Sequence, residues 1–157
     1  MSIPSIVHGT FVVERTYPVS AERVFAAFSD PATRRRWFAE GEGWQIDEFK
    51  VDFRVGGRET SRFRFKGGPK VANDTVYQDI VPDQRIVFVY AMTVGDKRIS
   101  ASLASVELFT SGKGTRLVYT EQGQFFDGVE QPRQREEGCV ELFDRLGEEL
   151  KSERRTS

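Results

Sequence analysis

The hydrophobic pattern of this chain changes period once, and that change limits the folds open to it. Over most of its length the apolar residues sit in short alternating runs cut by glycine and proline. Near the C-terminus Cys139, Leu142, Phe143, Leu146 and Leu150 instead recur at spacings of three and four, with Glu141, Asp144, Arg145, Glu148 and Lys151 between them. A strand turns every second side chain to one face and a helix gathers every third or fourth, so several half-buried strands precede one amphipathic helix. Their apolar faces can share a core only if an antiparallel sheet curls around the helix. The composition agrees: 17 valines and 13 phenylalanines against 6 leucines suit pleated surfaces better than a helical bundle. At 157 residues the chain fits one domain.

The same composition excludes several function classes. A net charge of -1 offers no basic excess for a phosphate backbone, so no nucleic-acid partner is expected. The one cysteine, Cys139, cannot form an internal disulfide, and with His8 as the one histidine there is no zinc-binding cluster; neither a metal nor a cofactor is expected. His8 is read as lying outside the sheet. Ser5 and Ser20 have no nucleophile-elbow context, and a Ser-His-Asp triad would have to recruit His8 near a terminus. No signal segment and no run of roughly 18 apolar residues occurs, so the protein is read as cytoplasmic, without a membrane span.

Along the chain, Thr10 to Tyr17 reads as strand one, ended by Pro18. Ser20 caps a short helix with Val24, Phe25 and Phe28 on one face, and Asp30-Pro31 opens a second that ends near Trp37-Phe38. Arg34, Arg35 and Arg36 on so short a helix read as a solvated face rather than an anion site. The run from Trp44 to Val55 puts Ile46, Val51, Phe53 and Val55 forward as core. Then Ser61, Phe63 and Phe65 alternate with Arg62, Arg64 and Lys66, followed by strands at Ala72 to Val81, Arg85 to Val94, Arg98 to Phe109 and Thr115 to Gln122. A helix from about Pro132 to Leu150 closes the chain. A single domain over residues 10–150 is expected, with residues 1–9 and 152–157 as flexible termini.

Four segments in this order, Pro18-Val19-Ser20-Ala21-Glu22-Arg23-Val24-Phe25, Asp30-Pro31 with Trp37-Phe38, Asp52-Phe53-Arg54-Val55-Gly56-Gly57 and Gly114-Thr115-Arg116-Leu117, resemble the family named for the activator of the heat-shock-protein-90 ATPase. That family lies within the START-related, birch-allergen-like helix-grip superfamily, SRPBCC. The resemblance implies an α+β helix-grip fold, a curved antiparallel sheet around a long C-terminal helix with two short helices after strand one, and a cavity between sheet and helix. Helix-grip proteins include lipid and hormone carriers, aromatase/cyclases and stress-response proteins. The sequence departs from the family pattern at two positions facing the cavity. Glu121 stands where a histidine is common, and Gly138-Cys139 stands where Gly-Trp is common.

Leu117, Tyr119 and Glu121 share a face, so Glu121 is expected to point inward near the mouth. A desolvated carboxylate there is a candidate general acid or base, or a partner for a ligand amine or hydroxyl; a rim salt bridge with an arginine is the plainer alternative. Tyr90 and Tyr119 carry hydroxyls able to orient a ligand, although strand tyrosines usually keep the hydroxyl at the surface. Cys139, without a histidine partner, reads as a small hydrophobe rather than a nucleophile. Trp37, Phe38, Phe63 and Phe143 read as core that also walls any cavity.

The leading expectation is a protein, monomer or homodimer, that binds a small apolar molecule or lipid through Trp37, Phe38, Phe63, Tyr90, Tyr119, Glu121, Cys139 and Phe143. Two alternatives stand beside it: a co-chaperone-like module contacting a chaperone ATPase, and a cyclase or hydrolase using Glu121. Beyond Glu121 no catalytic residue is assigned, and the balance is against an enzyme.

Overall fold

The computed structural model describes residues 4–156. Strand β1 (Ile6–Tyr17) is followed by helices α1 (Ala21–Ser29) and α2 (Pro31–Phe38). Strands β2 (Trp44–Val51), β3 (Arg58–Phe65), β4 (Val71–Val81), β5 (Arg85–Val94), β6 (Lys97–Ser111) and β7 (Gly114–Phe126) come next, and helix α3 (Pro132–Thr156) ends the chain. All seven strands form one sheet in the order β1-β7-β6-β5-β4-β3-β2. β2 to β7 are a meander of antiparallel neighbours, and β1 pairs antiparallel with β7 at the far edge. Register shifts between Ile46 and Glu48, Tyr77 and Asp79, and Met92 and Thr93 mark bulges. Bulges bend their strands, and here they help the sheet curl around α3. The arrangement is the helix grip. Among the described residues no helix is long and apolar enough to cross a membrane.

The chain closes its short helices as their residues dictate. Ser20 Oγ accepts from the Arg23 amide at 3.2 Å, and Asp30 accepts from the Thr33 amide at 3.2 Å and the Thr33 hydroxyl at 2.6 Å, with Pro31 at the first helical positions. α3 turns Arg135, Cys139, Phe143, Leu146 and Leu150 inward, each at most 6% exposed. Burying Leu146 and Leu150 stabilises the fold by roughly 1.5–3 kcal/mol each. Two glycines let the helix approach β1 closely. A Cβ on Gly9 would lie 2.5 Å from the Pro132 Cβ, and one on Gly147 would lie 3.3 Å from the Tyr17 ring. The Tyr17 hydroxyl, placed by that approach, donates to the Phe143 carbonyl at 2.7 Å.

Several expectations change. β1 begins at Ile6, so residues 6–9 are paired in the sheet and His8, opposite Gln124, lies within it. The partner strand β7 runs four residues past Gln122, to Phe126, which is why β1 can extend back so far. α3 continues to Thr156, past the expected end at Leu150. Of the other residues expected to be flexible, 4 and 5 precede β1, and 1–3 and 157 lie outside the described range. Val55 is 55% exposed rather than core, because β2 ends at Val51 and the chain turns through Gly56 and Gly57. Ile46, Val51 and Phe53 are half-buried.

Candidate functional site

Strand register converts sequence positions into rungs across the concave face. One rung is Tyr77, Phe88, Ala104, Glu121 and Phe11; the next is Glu59, Thr75, Tyr90, Ser102 and Gly123. Two carboxylates are thereby placed inside the fold, and each is met by an arginine from a helix.

Glu121 is fully buried, not at the mouth. Its carboxylate accepts from the Tyr119 hydroxyl at 2.6 Å, the Ser102 hydroxyl at 2.8 Å and the Tyr90 hydroxyl at 2.9 and 2.8 Å. The Cys139 thiol sits 3.8 Å away. Arg135 of α3 closes the cluster. Its Nη1 donates to the Tyr90 oxygen at 2.8 Å and stands 3.5 Å from Glu121, while its other nitrogens donate to Ser100 at 2.9 Å and to Glu130 at 2.6 and 3.2 Å. The ion pair expected at the rim is thus an interior network, and the tyrosine hydroxyls point inward because the carboxylate gives them acceptors. Burial first, then the Glu121 charge, hold the Tyr90 hydroxyl far above its ordinary pKa; burial and its neighbours Tyr90 and Glu121 do the same for Tyr119. Both stay protonated donors. Burial, reinforced by Glu121, pushes the Cys139 thiol well up, which makes it a poor nucleophile.

At the other end Arg34 of α2 meets Glu59 of β3 in a two-bond fork, both bonds at 2.9 Å, and Tyr77 donates to Glu59 at 3.2 Å. The guanidinium lies 3.9 Å from the Phe38 ring centre and 4.7 Å from that of Trp37. Burial would lower the Arg34 pKa, but the Glu59 charge overcomes it and the net shift is upward. The solvated-face reading of the arginine run therefore fails for Arg34, which is 8% exposed. It holds for Arg35 and Arg36, whose partners Glu40 and Glu149 leave both arginines near half-exposed.

Between the two clusters, under α3, lies a cavity of about 350 Å³. Trp37, Phe38, Phe63, Tyr90, Tyr119, Cys139 and Phe143 line it. Glu121 does not reach its wall and is closed off behind Tyr90 and Tyr119. The rings are in mutual contact, with Tyr119 and Phe143 centres 5.0 Å apart and Trp37 and Phe143 6.2 Å apart. Among the described residues no group of three His, Cys, Asp or Glu side chains is placed to hold a metal ion. Sequence reading missed Arg34, Glu59 and Arg135. Two of them carried a signal: Glu59 is in phase with Ser61 and Phe63, and Arg135 lies four residues before Cys139 on the inner stripe.

Residues 18–153 match the family described as Activator of Hsp90 ATPase homolog 1-like protein. The chain belongs to this family. Among solved structures it is similar to Mll3558 from Rhizobium loti, with 57% identity and a TM-score of 0.86 over 93% of this chain and 99% of the other. It is also similar to a protein from Rhizobium leguminosarum, with 39% identity and a TM-score of 0.91 over 96% and 99%. An AHSA1-like protein from Aeromonas hydrophila, at 21% identity and a TM-score of 0.72 over 92% and 93%, shares the fold. No curated protein matches. Within this family the helix-grip cavity of the present chain is bounded by two internally paired Arg-Glu clusters.

Proposed function

We propose that this protein binds a small, mostly apolar or amphipathic molecule in the cavity between the sheet and α3. The observation that carries the reading is the cavity itself: about 350 Å³, walled by aromatic rings and a thiol, in the size range of small-molecule sites. Members of the family generally bind ligands in such a cavity. Cys139 is central, because a tryptophan there would bury roughly 150–250 Å² of ring where this chain leaves space.

Replacing Cys139 with Trp tests this. With a ligand cavity at that position, the variant folds and loses affinity for an environment-sensitive apolar dye. In a fully packed core the same change leaves dye binding as it was and destabilises by about 1–3 kcal/mol in thermal melts, which would reject the reading.

The co-chaperone reading is favoured by the family description alone, and stable capture of a chaperone ATPase by the purified protein would support it. An enzyme using Glu121 is disfavoured by geometry, since both oxygens of that carboxylate already accept hydroxyls. Turnover abolished by Glu121→Gln would revive it. We place the protein in the cytoplasm as a monomer or homodimer, the latter point to be read by light scattering.

A further inference from the structure

We infer that the ligand is an amphipathic anion, an apolar chain or ring that ends in one carboxylate, and that Arg145 of α3 holds this charged end at the cavity mouth. The inference rests on the cavity-binding reading and names its ligand class. α3 turns a second stripe toward the sheet, beside its buried one. Gln134, Gly138, Glu141, Leu142 and Arg145 follow spacings of three and four and line the cavity; each is exposed or half-buried, so this stripe borders the opening. Gly138 sits on it two turns before Arg145. A Cβ on Gly138 would meet nothing within 4 Å, so no packing contact calls for a glycine, and alanine would suit the helix better. The bare backbone leaves clear space at the opening, where an apolar chain can pass under the helix.

The charges on the cavity wall differ in how far they are already used. Arg34 is taken up by Glu59, and Arg135 by Glu130, Tyr90 and Ser100, so a ligand could reach either arginine only by breaking a buried pair. Arg145 is different. Glu141 precedes it by four residues, the order and spacing that favour an ion pair on a helix, yet among the described residues neither side chain has an ion-paired partner. The arginine instead reaches back toward α2, where its Nη2 donates to the Arg36 carbonyl across a long 3.4 Å and its other N–H groups keep no protein acceptor among the described residues. It arrives beside Trp44, another residue of the cavity wall: a Cβ on Gly41 would lie 3.2 Å from the Trp44 ring and 3.6 Å from the Arg145 Nη2. Burial lowers the Arg145 pKa more than the Glu40 charge raises it, and Glu40 is itself bonded to Arg35 at 2.9 Å. The mouth thus presents a half-buried cation with open donors next to an indole, short of one counter-charge. A ligand carboxylate supplies that charge and matches the planar fork, while its apolar part stays among the rings.

Displacement of an environment-sensitive apolar dye by three matched probes, decanoate, decanol and decylamine, at neutral pH and low salt tests the assignment. Decanoate is expected to bind about tenfold tighter than decanol, a factor within reach of one hydrogen bond to a charged group, and decylamine more weakly than decanol. In Arg145→Gln the affinities for decanoate and decanol converge while decanol binds as before, and Arg145→Lys, which keeps the charge but not the fork, retains part of the preference. Arg116→Gln removes the same charge from β7, outside the cavity wall, and leaves the preference intact. Ligand-free Arg145→Gln is expected to melt with the parent, because no carboxylate loses its partner. Equal binding of decanoate and decanol, a preference that survives Arg145→Gln or falls as far in Arg116→Gln, or tightest binding of decylamine, drawn to Glu141, would each overturn the anion site and leave the cavity reading standing. Binding of none of the three overturns both.

Discussion

The two buried Arg-Glu clusters solve one problem in different ways. Arg34 and Glu59 form a flat, two-bond fork against aromatic rings, and among the described residues the other donor to the carboxylate is Tyr77. Arg135 and Glu121 stand farther apart, at 3.5 Å, and share their bonding among Tyr90, Tyr119, Ser102, Ser100 and Glu130. The first cluster concentrates its interaction in one contact between α2 and β3. The second distributes it over α3 and three strands, so it tolerates the loss of one member better. Buried ion pairs are weak evidence of stability in themselves, but breaking one strands its partner.

Base should have the largest effect, because it attacks the three phenols that serve the clusters and, in Tyr17, the one that ties β1 to α3. All four tyrosines of the chain, Tyr17, Tyr77, Tyr90 and Tyr119, are held above the ordinary value of 10.0, chiefly by burial. The unfolded chain releases these protons first as pH rises, so the stability they contribute is intact below about pH 10 and is lost above it. Phenolate absorbance is therefore expected to appear in one cooperative step together with loss of circular dichroism. A tyrosine titrating freely in the folded protein would contradict the burial of its cluster.

Arg34→Ala comes next. It leaves Glu59 buried with Tyr77 alone, and urea unfolding should show a loss of about 3–5 kcal/mol. Arg135→Ala should cost less, about 1–3 kcal/mol, because three hydroxyls still serve Glu121 and Glu130 is partly solvated. A larger loss at Arg135 than at Arg34 would invert the comparison. The smallest effect is expected from Asp30→Ala, which removes the cap of the helix carrying Arg34 and should lower stability by roughly 1 kcal/mol.

The fold was legible where local signals agreed with the global arrangement. β5 runs over Arg85–Val94 as the turns on either side require, and α1 and α2 start at the capping residues the sequence offers. The aromatic cavity wall could be anticipated because the inner stripe of α3 and the alternation of β7 each select one face. The polar clusters could not, because each joins residues from elements whose relative placement no local pattern encodes: the ion-paired Arg34 and Glu59 are separated by 25 positions, and the hydrogen-bonded Arg135 and Tyr90 by 45. Charge runs were read as solvated because arginines usually are; a helix of eight residues still has one inward side, and Arg34 occupies it.

The pairing of β1 with β7 also sets an order of events during synthesis. Tyr17 lies opposite Thr115, so β1 leaves the ribosome well before β7 and has no partner in the sheet until β7 has emerged. β2 to β7 can form as successive hairpins between near neighbours, each closing a short loop, whereas β1 must close a loop of about a hundred residues. Nascent chains therefore carry β1 unpaired while β2 to β6 are made, and its docking on β7 is the late step that completes the grip.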